Sequence, residues 1–115
     1  MELAGKKILV TGGSGFLGSR IVKLLKENGV EKITVPRSDS CDLRISENCT
    51  KITKDVDIVF HAAGNVGGIG YNKDHPASVF FDNIMMDTLM MEESRKNGVE
   101  KFIAIGTVCS YPKFT

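Results

Sequence analysis

The segment Ile8–Gly18, ILVTGGSGFLG, sets an apolar run directly against four glycines in seven residues. Beyond it, Phe16, Leu17, Ile21, Leu24 and Leu25 recur at helical spacing as far as Gly29. A glycine just past the last periodic residue ends a helix in the C′ position. The pattern predicts a buried strand at Lys6–Val10, a glycine turn, and a helix over Phe16–Asn28. A short apolar strand of this kind is covered on both faces, as in a parallel sheet. Glycines gathered where a strand hands over to a helix admit something that must come very close to the main chain.

The alternation continues along the chain. Lys32–Val35 reads as a second strand, and Pro36 ends its ladder for want of an N–H. Residues 44–54 are polar with Ile45 and Ile52 interspersed, and read as a short helix. Val56–Ala62, VDIVFHA, is a third apolar strand. A glycine-bearing loop follows, then Pro76 opens a long helix over 77–97 that Asn97-Gly98 ends. Lys101–Ile105 is the last strand. Strands alternating with helices argue an α/β domain with a parallel sheet. An outermost parallel strand as apolar as FIAI calls for cover on both faces and a further crossover. Residues 1–115 are therefore expected to be the first part of a longer protein.

Composition bounds the class. The 115 residues are 42% hydrophobic and 25% charged, with a formal net charge of +1. That is globular composition without a basic block, so no nucleic-acid partner is expected. No signal peptide or membrane-length apolar run is present, which predicts no membrane partner and a cytoplasmic location. Cys41, Cys49 and Cys109 form no CxxC pair, so neither a metal site nor a disulfide framework is expected.

Gly12, Gly15 and Gly18 give TGxxGxxG between strand and helix. Gly12 suits a tight turn, Gly15 lets a diphosphate approach backbone N–H groups, and Gly18 lets helix and sheet pack closely. With Gly13, Ser14, Phe16 and Leu17 they make a cofactor cradle at the positive end of a helix. The plainer alternative is a glycine turn with no ligand. The spacing is not GxGxxG; it resembles the extended branch of the short-chain dehydrogenase/reductase superfamily, where TGGxGFLG is typical. The resemblance implies a Rossmann-like doubly wound parallel sheet with flanking helices, broken off after what that family counts as its fifth strand, and a nicotinamide cofactor.

Which nicotinamide cofactor depends on the end of the second strand. NAD binders place an acidic residue there, whereas this chain reads Pro36-Arg37-Ser38. An arginine there suits a 2′-phosphate, so NADP is favoured, with NAD possible if Asp39 takes the ribose instead. Asp42 and Leu43 fall where the family flanks the adenine, though Asp42 equally suits a helix cap. Ala62, Ala63 and Gly64 follow the third strand, where small residues let a cofactor lie over the sheet edge. His61 reads as a packed strand-end histidine rather than a catalytic one.

Two stretches, NVGGIGYNKDHPASVFFDNIMM (65–86) and KFIAIGTVCSYPK (101–113), resemble the GDP-L-fucose synthase family. The resemblance implies inversion of two carbons beside a C4 ketone of a GDP-sugar, followed by hydride reduction of that ketone. By this resemblance Cys109 is the acid/base group, and Thr107 is the hydroxyl that bonds the substrate carbonyl. Thr107 stands where the family more often has serine. Gly106 is implied at the cofactor, and Val66, Gly67, Gly68 and Asn83 at the nucleotide-sugar substrate. Read without the family, Thr107 is a strand-end residue and Cys109 a small buried hydrophobe.

Phe80, Phe81, Ile84, Met85, Leu89 and Met90 exceed one buried stripe of the 77–97 helix. The excess suits either a homodimer through that helix or burial under further chain. The superfamily's Tyr-xxx-Lys pair does not occur, since Thr115 stands four places after Tyr111 and His75 four after Tyr71. The 115 residues alone are therefore expected to be inactive. Two other readings stay open: another NAD(P)-dependent nucleotide-sugar epimerase or dehydratase, and a non-catalytic dinucleotide-binding module.

Overall fold

A computed structural model describes residues 3–37, 39–64 and 75–105. In chain order the elements are β1 (Lys7–Thr11), α1 (Phe16–Glu27), β2 (Lys32–Thr34), α2 (Ser46–Ile52), β3 (Ile58–His61), α3 (Pro76–Lys96) and β4 (Lys101–Ala104). Every element expected from the sequence is present, with ends shifted by one or two residues. Among the described residues the sheet has four strands, so the one that the family counts as fifth is β4 here.

The helix ends follow local chemistry. Asn28 caps α1 and Gly29 adopts φ +85°, while Asn97 caps α3 and Gly98 adopts φ +73°. Both are left-handed positions that a side chain would strain. Pro76 stands in the first turn of α3, where its missing N–H would have had no intrahelical acceptor.

The sheet order is β2-β1-β3-β4, parallel throughout. Strand alternation gives it two apolar faces. Ile8, Val10 and Ile58 pack with Leu25 and Val30 on the side of α1. Leu9 and Val59 point the other way and pack with Leu43, Cys49 and Met90 on the side of α2 and α3. Phe102 joins the second cluster and Ile103 the first, so β4 is covered in part on both faces, as an apolar parallel strand should be.

Helices α2 and α3 are tied by polar contacts. Asn97 Nδ2 donates to Thr50 O at 3.0 Å and to Thr53 Oγ1 at 2.8 Å. The Thr50 hydroxyl donates to the Glu93 carboxylate. That bond, then the ammonium of Lys96 nearby, holds the Glu93 carboxyl below the usual glutamate range.

The chain leaves β1 to build β2 on one side, then crosses back to build β3 on the other. The reversal falls between β1 and β3, where Thr11 and His61 are register partners at the carboxyl ends. In an open parallel sheet this switch point is where a crevice forms.

Candidate functional site

A cleft of about 660 Å³ opens at that switch point. Gly12, Ser14, Gly15, Phe16, Leu17 and Gly18 form one wall, and Ala62, Ala63 and Gly64 another. Pro36 and residues 41–44 border it from the β2 side, and Asp82 and Met86 of α3 complete it.

The glycine turn is shaped by two contacts. Gly12 has φ +70°, and a Cβ there would lie 2.8 Å from the Ala62–Ala63 peptide. A Cβ on Gly18 would lie 1.9 Å from the Gly12 carbonyl oxygen, so α1 starts in contact with the turn that precedes it. Gly15 differs from both. Its backbone is extended, and a Cβ there would meet only the Gly12 oxygen, at 3.3 Å. The space in front of Gly15 is the cleft.

Helix α1 begins at Phe16 without a side-chain cap, and no acidic residue stands in its first turn. Its first N–H groups have no intrahelical acceptor and carry the positive end of the helix dipole. An uncapped, acid-free helix start facing a glycine-lined cleft fits a diphosphate chemically. Beside it, the Arg20 guanidinium lies 4.6 Å from the centre of the exposed Phe16 ring.

On the β2 side, Arg44 grips Asp42 with both ends of its guanidinium, Nε to Oδ1 at 3.0 Å and Nη2 to Oδ2 at 2.9 Å. Its Nη1 reaches Asp82 Oδ1 on α3 at 3.0 Å. The Arg44 side chain, then its backbone N–H, holds the Asp42 carboxyl below the usual carboxylate range. Asp42 raises the Arg44 pKa in turn, with Asp82 adding to it. Asp42 thus serves Arg44 and not the cap of α2, whose N-cap residue is Ile45, without a side-chain bond.

Burial, then the neighbouring Asp42 charge, pushes the Cys41 thiol up. Burial pushes Cys49 up to about 11, and its Sγ donates to Leu43 O at 3.2 Å. Neither thiol has the lowered pKa of a nucleophile. Among the described residues no cluster of His, Cys, Asp or Glu could hold a metal.

Most of the glycine-turn residues singled out in the sequence meet in this cleft, with Asp42, Leu43, Ala62, Ala63 and Gly64. Gly13 is not among the lining residues, and a Cβ there would strike Val35 at 2.5 Å. Arg37 is exposed, pairs with Asp39 at 3.4 Å, and stands outside the cleft lining. Asn83 is half-buried on α3, and a Cβ on Gly64 would lie 3.4 Å from its Oδ1. Ser38, Val66, Gly67, Gly68, Gly106, Thr107 and Cys109 lie outside the described residues. Sequence reasoning missed Cys41 and Arg44, which come from the segment between β2 and α2, and Asp82 and Met86, which reach the cleft through the crossover that lays α3 over the second face.

Residues 8–115 match the NAD dependent epimerase/dehydratase family. The chain belongs to that family. Among its curated relatives, GDP-mannose 3,5-epimerase of Arabidopsis thaliana is 33% identical over 122 residues, covering 94% of this chain and 32% of the relative. GDP-L-fucose synthase of Sinorhizobium fredii is 36% identical over 114 residues, covering 97% of this chain and 36% of the relative. The crystal structure of a GDP-L-fucose synthetase from Naegleria fowleri bound to NADP superposes with a TM-score of 0.81 at 28% identity, over 97% of this chain and 37% of that one. The chain thus spans about a third of the length of these members of the epimerase/dehydratase family.

Proposed function

We propose that this chain is the NADP-binding part of an enzyme that converts GDP-4-keto-6-deoxymannose to GDP-L-fucose. The observation that carries the reading is the cleft at the β1/β3 switch point, with its uncapped helix start and the open approach at Gly15. The family and its GDP-sugar relatives support the substrate class. The resemblance of residues 65–86 and 101–113 to the fucose synthases supports the reaction.

In this reading the N–H groups at the start of α1 hold the diphosphate. Ala62, Ala63 and Gly64 give a side-chain-poor floor along which the rest of the dinucleotide lies. Asp42 and Leu43 border its adenine end, and Arg37 and Ser38 meet the 2′-phosphate. A bound NADPH supplies hydride for the C4 ketone. Thr107 donates a hydrogen bond to the ketone oxygen, which stabilises the negative charge that develops there. Cys109 moves protons at the carbons beside it. Gly106 lies by the cofactor, while Val66, Gly67, Gly68 and Asn83 border the sugar nucleotide. Helix α3 pairs with its counterpart in a homodimer; its exposed Phe80, Phe81, Ile84 and Met91 support that role.

A second reading has its own support, in the relatives named GDP-mannose 3,5-epimerase. An epimerase returns an isomer of its substrate and consumes no net reductant. Full-length protein given GDP-4-keto-6-deoxymannose with NADPH, and in a separate assay GDP-mannose with NADPH and oxidised cofactor, separates the two. Loss of NADPH absorbance in step with a reduced sugar product is expected. Epimerised GDP-mannose with NADPH unconsumed would favour the second reading.

A further inference from the structure

One chain of hydrogen bonds joins the end of β1, the end of β3 and the middle of α3. The amides of Ala62 and Ala63 donate to Thr11 Oγ1 at 3.1 and 3.2 Å. Thr11 Oγ1 lies 2.7 Å from His61 Nδ1, and His61 Nε2 lies 2.7 Å from Asp87 Oδ1. Thr11 and His61 are buried, and Asp87 stands at the solvent end of the chain. Phe102 packs beside the imidazole with ring centres 5.8 Å apart.

The direction of each bond follows from a count of protons and lone pairs. A hydroxyl has one proton to give and two lone pairs to accept with. The Ala63 amide takes one lone pair of Thr11 Oγ1, and the Ala62 amide shares itself between the other and Thr11 O. The Asp87 carboxylate at Nε2 is an acceptor that calls for the ring proton there, so the Thr11 proton goes to His61 Nδ1. Nδ1 is then the acceptor, and the ring proton resides on Nε2, which donates it to Asp87. The opposite tautomer would aim a third N–H at Thr11. It would also leave the Thr11 proton with no acceptor on the imidazole and set a bare Nε2 lone pair against the Asp87 carboxylate oxygen 2.7 Å away.

We propose that His61 and Asp87 are positioning residues for the cleft floor. Asp87 fixes the His61 tautomer, His61 orients the Thr11 hydroxyl, and Thr11 pins the Ala62–Ala63 main chain against the Gly12 turn. That peptide borders the cleft and touches the turn so closely that no Cβ fits between them. The consequence for cofactor affinity rests on the dinucleotide reading of the cleft; the relay itself does not.

The test uses full-length protein with 15N-labelled histidine, at a pH above the ordinary imidazole range. His61 signals are assigned by their loss in His61→Gln. Wild type is expected to show a pyridine-like Nδ1 and a pyrrole-like Nε2. Asp87→Ala is expected to mix the tautomers, to speed amide exchange at Ala63, and to weaken NADPH binding about three- to tenfold. Asp87→Asn, whose side-chain oxygen still accepts, should restore most of all three. A pyrrole-like Nδ1 in wild type would overturn the relay, as would unchanged Ala63 exchange in Asp87→Ala. Wild type that binds no NADPH would instead overturn the dinucleotide reading, with tautomer and exchange still deciding the relay.

Discussion

Gly15 and Gly18 belong to the same motif and do different things. At Gly18 an added Cβ would sit 1.9 Å from a backbone oxygen that cannot move without opening the turn. Gly18→Ala should therefore destabilise the fold by about 3 kcal/mol, measured as a lowered denaturant midpoint. An unchanged midpoint would mean that the helix start is not in contact with the turn. Arg37 poses the opposite question, because it makes one exposed ion pair, to Asp39, and contributes little to stability. Arg37→Ala should weaken NADPH binding about tenfold or more while leaving NADH nearly unaffected. Equal loss for the two cofactors in parallel titrations would remove the preference for NADP.

At the scale of elements, the pairing of α2 with α3 rests on polar side chains at one end of the core. Glu93 is buried and accepts the Thr50 hydroxyl. Its folded carboxyl is more acidic than the unfolded one. The stability this contributes is complete above the unfolded value and is lost as pH falls through the lowered folded value. The denaturant midpoint should therefore drop as pH is taken from about 5 to about 3, and Glu93→Gln should show a shallower drop over that window. Parallel curves would remove Glu93 from the account. Asp42 titrates in the same direction, so the difference between the two proteins carries the information.

For the molecule as a whole, the sequence announced the features that depend on neighbours along the chain. The apolar runs at 8–10 and 58–60, the stops at Gly29 and Gly98, and Pro36 each act locally, so the order of strands and helices was legible. The glycine turn was legible for the same reason. Contacts that bridge distant elements were not. Arg44 reaches Asp82, 38 residues on, and Thr50 reaches Glu93, 43 residues on. Nothing in the periodicity of either partner marks these pairs, because they meet only when α3 crosses the second face of the sheet. His61 reads as a packed strand-end residue, which its burial bears out, but its tie to Asp87 is set by the same crossover. The excess of apolar residues on α3 was visible in sequence and remains on the surface at Phe80, Phe81, Ile84 and Met91.

The account depends above all on the bare main chain at Gly15 facing a bound diphosphate. Gly15 has an extended backbone and room for a side chain, apart from one carbonyl that must yield slightly. Calorimetric titration of the full-length protein with NADPH, wild type beside Gly15→Val, tests this most directly. Wild type should bind, and the variant should melt within a few degrees of it and give no binding heat. A folded variant that binds NADPH as tightly as wild type would contradict the account.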